Sequence, residues 1–390
     1  MCTDLQEKDK LIPFQSLNSI DLIDDLIYQC EDFFTWTQDQ IQKIQTQLLA
    51  EAFSFHYNHS ESYHKYCHNW EVTPQDVQEP NDLIKIPLVP STMFKLRDIT
   101  SCSPKDIVKV CTSSGTMGSI SKIYRDETTL NRFLGSIRSS IDLLLNLDDA
   151  FCVNLGPSTE ESGDLWFSYA ISVVDLIFPS QNFVKDDVFY PDRAYQEIIK
   201  QHDKYENLVV IGAPIMFLEL ISYMEKHSLT VENSEKIYFV TAGGWKRFSG
   251  QAISRPVFEE KIGTSFRGSV REHFRDVFNM VELNTVLAEC SHQIKHVVPW
   301  IKVLILEPRT LRSLPPGELG IIAYLDPSTT SYPGFILSDD FGRIVLEGKC
   351  PCGRTGQGIE IVRRIKSVES RGCALKIDKN YASSSTTAVS

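Results

Sequence analysis

The stretch IVKVCTSSGTMGS, residues 107–119, decides the fold. Ile107–Thr112 is a β-rich run, and it breaks into a segment that no regular strand or helix would choose. Glycines at 115 and 118 let the backbone come close to an anion. Hydroxyls on Thr112, Ser113, Ser114, Thr116 and Ser119, with free N–H groups, can wrap phosphate oxygens. The pattern is not the G-x-x-x-x-G-K-[ST] loop of the P-loop NTPases, which disfavours that class. A serine-rich surface turn would read the same way taken alone.

Working outward, Ala150–Leu155, Leu208–Gly212 and Ile237–Thr241 are further apolar runs. Helical spacing at 193–201 and 215–226 precedes and separates the last two, and Asp276–Glu282 is a further candidate strand. This alternation predicts an α/β sheet whose ligands meet glycine-rich loops at strand ends. The first 80 residues read as helical, as do residues 127–146. Prolines at 87 and 90 make 84–95 an extended segment leading into a turn. From 297 the runs IKVLIL, GIIAYL, FILSDD and RIVLEG are separated by turn signals, which predicts a β-rich subdomain. The expected units are a helical segment 1–80, an α/β core 81–296, a β-rich part 297–349, a C-terminal segment 350–381 and a low-complexity, disordered tail 382–390.

The chain has 390 residues, with 39 lysines and arginines against 51 aspartates and glutamates, a formal charge of −12. At 42% hydrophobic and 23% charged, it is neither disordered, collagenous nor a small disulfide-stapled domain. The acidic balance argues against binding nucleic acid or an anionic membrane along its whole surface. No apolar run approaches a membrane span, and MCTDLQEKDK is no secretory signal. Ten scattered cysteines form no disulfide framework, so reduced thiols in a cytoplasmic protein are expected.

The loop SSGTMG, followed by Ser121-Lys122, resembles the phosphate loop of the adenylate-forming (ANL) acyl ligases. IPLVPSTMFK (86–95), GAP (212–214), TAGGWK (241–246), VEL (281–283), PPGELG (315–320), SDDFGRI (338–344), CGRTG (352–356) and RGCALKID (371–378) occur in the order of one branch. Over roughly residues 50–380 the chain resembles the LuxE-type acyl-protein synthetases.

That resemblance implies an ANL-type adenylating domain with mixed and parallel sheets, helices and a β-rich subdomain. Its C-terminal cap would be reduced to a short stub. Ser113, Ser114, Gly115, Thr116, Gly118 and Lys122 would hold the pyrophosphate end of ATP. Gly243, Gly244 and Trp245 would line the adenine side, and Lys122 or Lys246 would offset phosphate charge. Glu282 would serve the Mg²⁺–ATP complex, although Phe278–Glu282 reads FNMVE where the family has Y-G-x-T-E. Asp340 would bind the ribose hydroxyls and Arg354 the ribose and phosphate near the hinge. Cys373, in the RGC of the stub, would accept the acyl group as a thioester.

The implied function is ATP-dependent activation of a carboxylic acid, a fatty acid above all, to acyl-AMP, with transfer to Cys373. An acyl-CoA or carrier-protein ligase is one alternative, and a non-catalytic scaffold for an acyl reductase or transferase is another. Expected partners are the acid substrate and an acyl reductase, acyltransferase or carrier protein. ATP and Mg²⁺ are the expected cofactors, with a structural Zn²⁺ beside them.

The zinc expectation comes from Cys350-Pro351-Cys352 together with Cys290, His292 and His296. Cys290, His296, Cys350 and Cys352 could close a tetrahedral site, with His292 competing as the fourth ligand. Reduced core cysteines beside a hydrated histidine loop would give the same sequence. A denser group, His56, His59, His64, Cys67 and His68, reads as an aromatic helix end rather than a metal site.

Overall fold

The computed structural model describes residues 19–30, 33–114, 120–142, 145–147, 149–232, 234–244 and 252–364. Gly115, Thr116, Gly118, Trp245, Lys246, Cys373 and the tail lie outside the described residues.

Among the described residues, thirteen strands form one sheet. Its parallel half consists of β4 (Ala150–Pro157), β5 (Ser180–Lys185), β7 (Asn207–Gly212), β8 (Ile237–Ala242) and β9 (Phe274–Phe278), in the order β9-β8-β7-β4-β5, with β6 (Val188–Phe189) antiparallel at the edge. The central strands β4, β7 and β8 are mostly apolar and buried along their length, as parallel strands covered by helices must be. Helices Pro191–His202, Pro214–Lys226 and Arg255–Ser265 each start with proline in the first turn, where its missing N–H costs nothing. They pack on one face around Phe217, Leu220, Phe239 and Phe258.

The other half is antiparallel. It runs β9, β10 (Leu287–Glu289), β11 (Lys295–His296), β15 (Thr355–Arg364), β14 (Phe335–Lys349), β13 (Gly320–Leu325) and β12 (Lys302–Leu306). The residues expected as a β-rich subdomain thus extend the same sheet. FILSDD and RIVLEG, expected as two strands, form one strand of 15 residues. The Asp339–Gly342 stretch does not turn back, because Gly342 lies tight against β15. A Cβ there would stand 2.3 Å from the Glu360 carbonyl oxygen. The absence of a side chain lets the ladder pass through a bulge instead.

N-terminal helices cover this half. Helix Gln38–His59 starts in a capping box between Thr37 and Gln40. Phe33, Phe34 and Trp300 share a core with Ile23, Leu26 and Ile27. The helix expected over 127–146 is α-helical only to Ile137 and continues as a π turn, Arg138–Asp142. The strand expected over Asp276–Glu282 ends at Phe278, and the reason matters for the site.

A two-stranded sheet, β2 (Ile107–Thr112) with β3 (Lys122–Asp126), carries the hydroxyl-rich loop between its strands. A short strand, β1 (Val89–Pro90), pairs parallel with Ile336 and Leu337 of β14. Among the described residues, no helix is long and apolar enough to cross a membrane.

Candidate active site and a cysteine–histidine cluster

The loop's base is described. Ser113 N–H donates to the Ser121 carbonyl at 3.1 Å, and Ser121 N–H donates to Ser113 Oγ at 3.0 Å. These bonds close the neck of the loop and leave Ser114 beyond it. Lys122 is exposed and pairs with Thr112 where β3 begins.

Glu282 reaches this neck from the opposite side. It is buried, which pushes its carboxyl above the usual range. The Ser121 hydroxyl, though short of good hydrogen-bond geometry, offsets this in part, and so does the Arg364 guanidinium, while Asp339 adds to the rise. Asp339 Oδ2 lies 3.9 Å from Lys95 Nζ and 3.8 Å from Arg364 Nη2. Four segments therefore meet here: the neck of the loop, the turn after β9, the start of the β14–β15 ladder and the short helix Met93–Leu96. The β1–β14 pairing, with Ser91 N–H bonded to the Leu337 carbonyl, delivers that helix.

Asp340 is the next residue along β14 and stands in register with Arg364. Its N–H is held by Ser338 Oγ at 3.1 Å, and its charge adds to the burial that raises Tyr324. The glycine turn after β8 comes close as well. Gly243 has φ of +78°, and a Cβ on it would meet the Phe167 ring at 2.4 Å. Only glycine fits both constraints. Gly244 beyond it is exposed. Thr241 Oγ1 donates to Asp276, which Lys295 bridges to Glu289, itself held by Arg255. Burial would lower Lys295, but Asp276 and Glu289 outweigh it and keep the ammonium charged.

Arg354 is not brought to Asp340. The β14–β15 ladder runs from Asp340 opposite Arg364 to Lys349 opposite Thr355. The ends lie roughly 30 Å apart at about 3.3 Å per residue. The arginine at the aspartate end is Arg364, which the sequence reading passed over, as it did Lys95 and Asp339. The signal for Arg364 was pairing geometry: it becomes visible only once SDDFGRI and GIEIVRR are known to be partners.

Arg354 belongs to the far end, beside the metal candidates. Ligand atoms of Cys290, His296, Cys350 and Cys352 all lie within 4.8 Å of one another. Cys290 Sγ is 3.9 Å from Cys350 Sγ, and Cys352 Sγ is 3.3 Å from His296 Nε2. A tetrahedral zinc with about 2.3 Å bonds to sulfur needs sulfurs about 3.8 Å apart, so the donor set fits. His292 is exposed and outside the group, so the histidine beside the three cysteines is His296. Two tight turns present the thiols: Cys290 N–H bonds the Ile294 carbonyl, and Cys350 N–H bonds the Arg354 carbonyl.

Burial pushes Cys350 up to about 12 and raises Cys290. Burial acts on Cys352 too, but hydrogen bonds from Arg354, Cys350 and Cys290 outweigh it and lower that thiol. Burial, aided by Arg354, takes His296 down to about 4, leaving a neutral imidazole whose Nδ1 has no partner among the described residues. Neutral imidazole and thiolate are the forms a metal binds.

The other histidine group does not converge. His56 is bonded to Ser101 Oγ and the Thr329 carbonyl, His59 to the Phe55 carbonyl and His64 to the Tyr57 carbonyl.

With this geometry in hand, comparison is decisive. The family model described as "Acyl-protein synthetase, LuxE" matches residues 10–382. The chain belongs to the LuxE acyl-protein synthetase family. This LuxE-family chain is 33% identical over 360 residues to the long-chain-fatty-acid–luciferin-component ligase of Aliivibrio fischeri, covering 91% of this chain and 93% of that one. It is 32% identical to the ligase of the same name from Vibrio harveyi, over 92% of this chain and 93% of that one. Among solved structures it is similar to a 2-hydroxyisobutyryl-CoA ligase in an open conformation, with a TM-score of 0.67 at 15% identity, covering 92% of this chain and 80% of that one. That likeness shows the fold, which is the adenylate-forming one. The protein is an enzyme, a ligase of the acyl-protein synthetase family.

Proposed function

We propose that this LuxE-family enzyme activates a long-chain fatty acid with ATP and transfers the acyl group to its own Cys373. The meeting of Glu282, Asp339 and Arg364 with the Ser113–Ser121 neck carries the reading. In the first half-reaction a carboxylate oxygen attacks the α-phosphorus, the bond to the bridging oxygen breaks and pyrophosphate leaves. In the second, a thiolate attacks the acyl carbon and AMP leaves. Residues 81–296 and the strands of 297–349 form the adenylating body, and residues 350–381 carry the acceptor.

Ser113, Ser114, Gly115, Thr116, Gly118 and Lys122 cradle the leaving phosphates. Gly243, Gly244 and Trp245 flank the adenine, and Lys246 adds positive charge. Asp340, with Asp339 beside it, takes the ribose hydroxyls, and Arg364 replaces Arg354 as the arginine at that end. Mg²⁺, held by Glu282, would supply charge neutralisation on the triphosphate. Zn²⁺ at Cys290, His296, Cys350 and Cys352 would be structural, closing two hairpin turns onto each other. The acyl thioester then passes to a reductase, an acyltransferase or a carrier protein.

Incubation with labelled long-chain fatty acid and ATP tests the acceptor. Label should stay on the protein after denaturation, be released by hydroxylamine and be lost in Cys373→Ser. Unchanged labelling of that variant would exclude Cys373. No label on the protein, with labelled acyl thioester forming only when CoA or a carrier protein is added, would assign the acceptor to pantetheine.

A further inference from the structure

The turn that carries Glu282 is irregular, yet its carboxylate is buried and aimed at the neck of the loop. Hydrogen bonds from three other segments fix it. Arg125, on β3 just past the loop, is fully buried. Its Nη2 donates to the Val281 carbonyl at 2.8 Å and its Nε to Asn284 Oδ1 at 3.2 Å. Asn284 Nδ2 in turn donates to the Thr129 carbonyl and Ser328 Oγ. Trp166 lays its ring against the guanidinium, 3.6 Å from its carbon, and donates its N–H to Asn279 Oδ1. Asn279 Nδ2 closes the turn onto the Leu283 and Thr285 carbonyls. That closure is why β9 stops at Phe278.

We propose that Arg125 is a positioning residue for Glu282, coupling the strand that leaves the phosphate loop to the turn that presents the carboxylate. Two features of the geometry separate this from a purely structural role. The planar fork spans the turn, gripping it on both sides of Glu282, which a lysine cannot do. Nη1 is buried with no hydrogen-bond partner among the described residues, a costly arrangement that an apolar residue of similar length would avoid. The side chain is thus better suited to holding the turn than to filling the core. Asn279 and Trp166 do the work left open where this chain has FNMVE in place of the family's tyrosine, glycine and threonine.

The inference rests on the reading of Glu282 as the Mg²⁺–ATP carboxylate, and the test separates the two. Acid-dependent ATP–pyrophosphate exchange is measured against Mg²⁺ concentration for wild type, Arg125→Lys, Arg125→Met and Glu282→Gln, with circular dichroism confirming the fold. Arg125→Lys should raise the half-saturating Mg²⁺ at least tenfold while KM for the acid stays within twofold. Arg125→Met should do worse, and saturating Mg²⁺ should restore Arg125→Lys but not Glu282→Gln. If Glu282→Gln shifts the Mg²⁺ curve and Arg125→Lys keeps that of wild type, the inference is wrong and the reading of Glu282 survives. If Glu282→Gln behaves as wild type, both are withdrawn. Should the Arg125 variants fail to fold, Trp166→Phe keeps an aromatic face beside the guanidinium but, with the smaller ring, loses the N–H to Asn279. About a threefold shift in the same direction is expected there, and no shift overturns the proposal.

Discussion

The β14–β15 hairpin joins two ends of opposite chemistry. At one, hard oxygen ligands and cations gather: Asp339, Arg364, Lys95 and the buried Glu282. At the other, soft sulfur and imidazole gather: Cys290, His296, Cys350 and Cys352. The first suits phosphate and magnesium, the second zinc. A single ladder separates them, so neither end can share a ligand with the other. The difference teaches that the CGRTG and SDDFGRI motifs, close in sequence, lie at opposite ends of one ladder, so under the proposed reading only SDDFGRI is placed to meet the nucleotide.

The two arginines break or sharpen this contrast most strongly. Arg364→Met should raise KM for ATP by about 10–100-fold, the worth of a charge-assisted hydrogen bond. Arg354→Met should leave that KM within twofold. The opposite pattern in steady-state kinetics would put the nucleotide at the cysteine end. Next is Cys350→Ser with Cys352→Ser. Bound zinc, measured by mass spectrometry of the native protein, should fall from one equivalent to none. The melting temperature should drop by about 5–10 °C, while exchange per folded molecule at low temperature stays near that of wild type. Loss of exchange with the fold intact would make the soft end catalytic.

The smallest effect separates a metal-facing histidine from an ordinary buried one. Burial takes His56 down to about 3, and both its ring nitrogens are used by Ser101 and Thr329. A histidine whose folded-state pKa is depressed binds fewer protons folded than unfolded. Its stabilisation is therefore whole above about pH 6.5 and declines as pH falls towards 3, by about 1.4 kcal/mol per unit. Chemical denaturation between pH 7 and 5.5 should show that slope reduced in His56→Gln, with zinc content unchanged. A slope identical to wild type would mean that His56 is protonated in the folded state.

The α/β alternation was legible in the sequence because Leu208–Gly212 and Ile237–Thr241 are apolar on both faces and end near glycine. The single long β14 was not, because Asp-Asp-Phe-Gly reads as a turn until the close approach of Glu360 to Gly342 is known. The three cysteines of the cluster could be chosen from residue type, but the choice between His296 and His292 for the fourth place needed the exposure of His292. Local density alone is a poor guide: His56–His68 packs five candidate ligands into one stretch, yet it reads as a helix end, and His56, His59 and His64 there turn to backbone or serine partners. Arg125, Arg364 and Lys95 carry no local pattern, since each acts on a residue far away in sequence.

The most direct test is acid-dependent ATP–pyrophosphate exchange with a panel of fatty acids of increasing chain length, run on wild type, Glu282→Gln and the Cys350→Ser, Cys352→Ser variant. The account predicts exchange by wild type only when acid and Mg²⁺ are present, a loss of about 10²–10³-fold in Glu282→Gln, and near-normal exchange per folded molecule in the cysteine variant. No exchange with any acid, or exchange undiminished in Glu282→Gln, would contradict it.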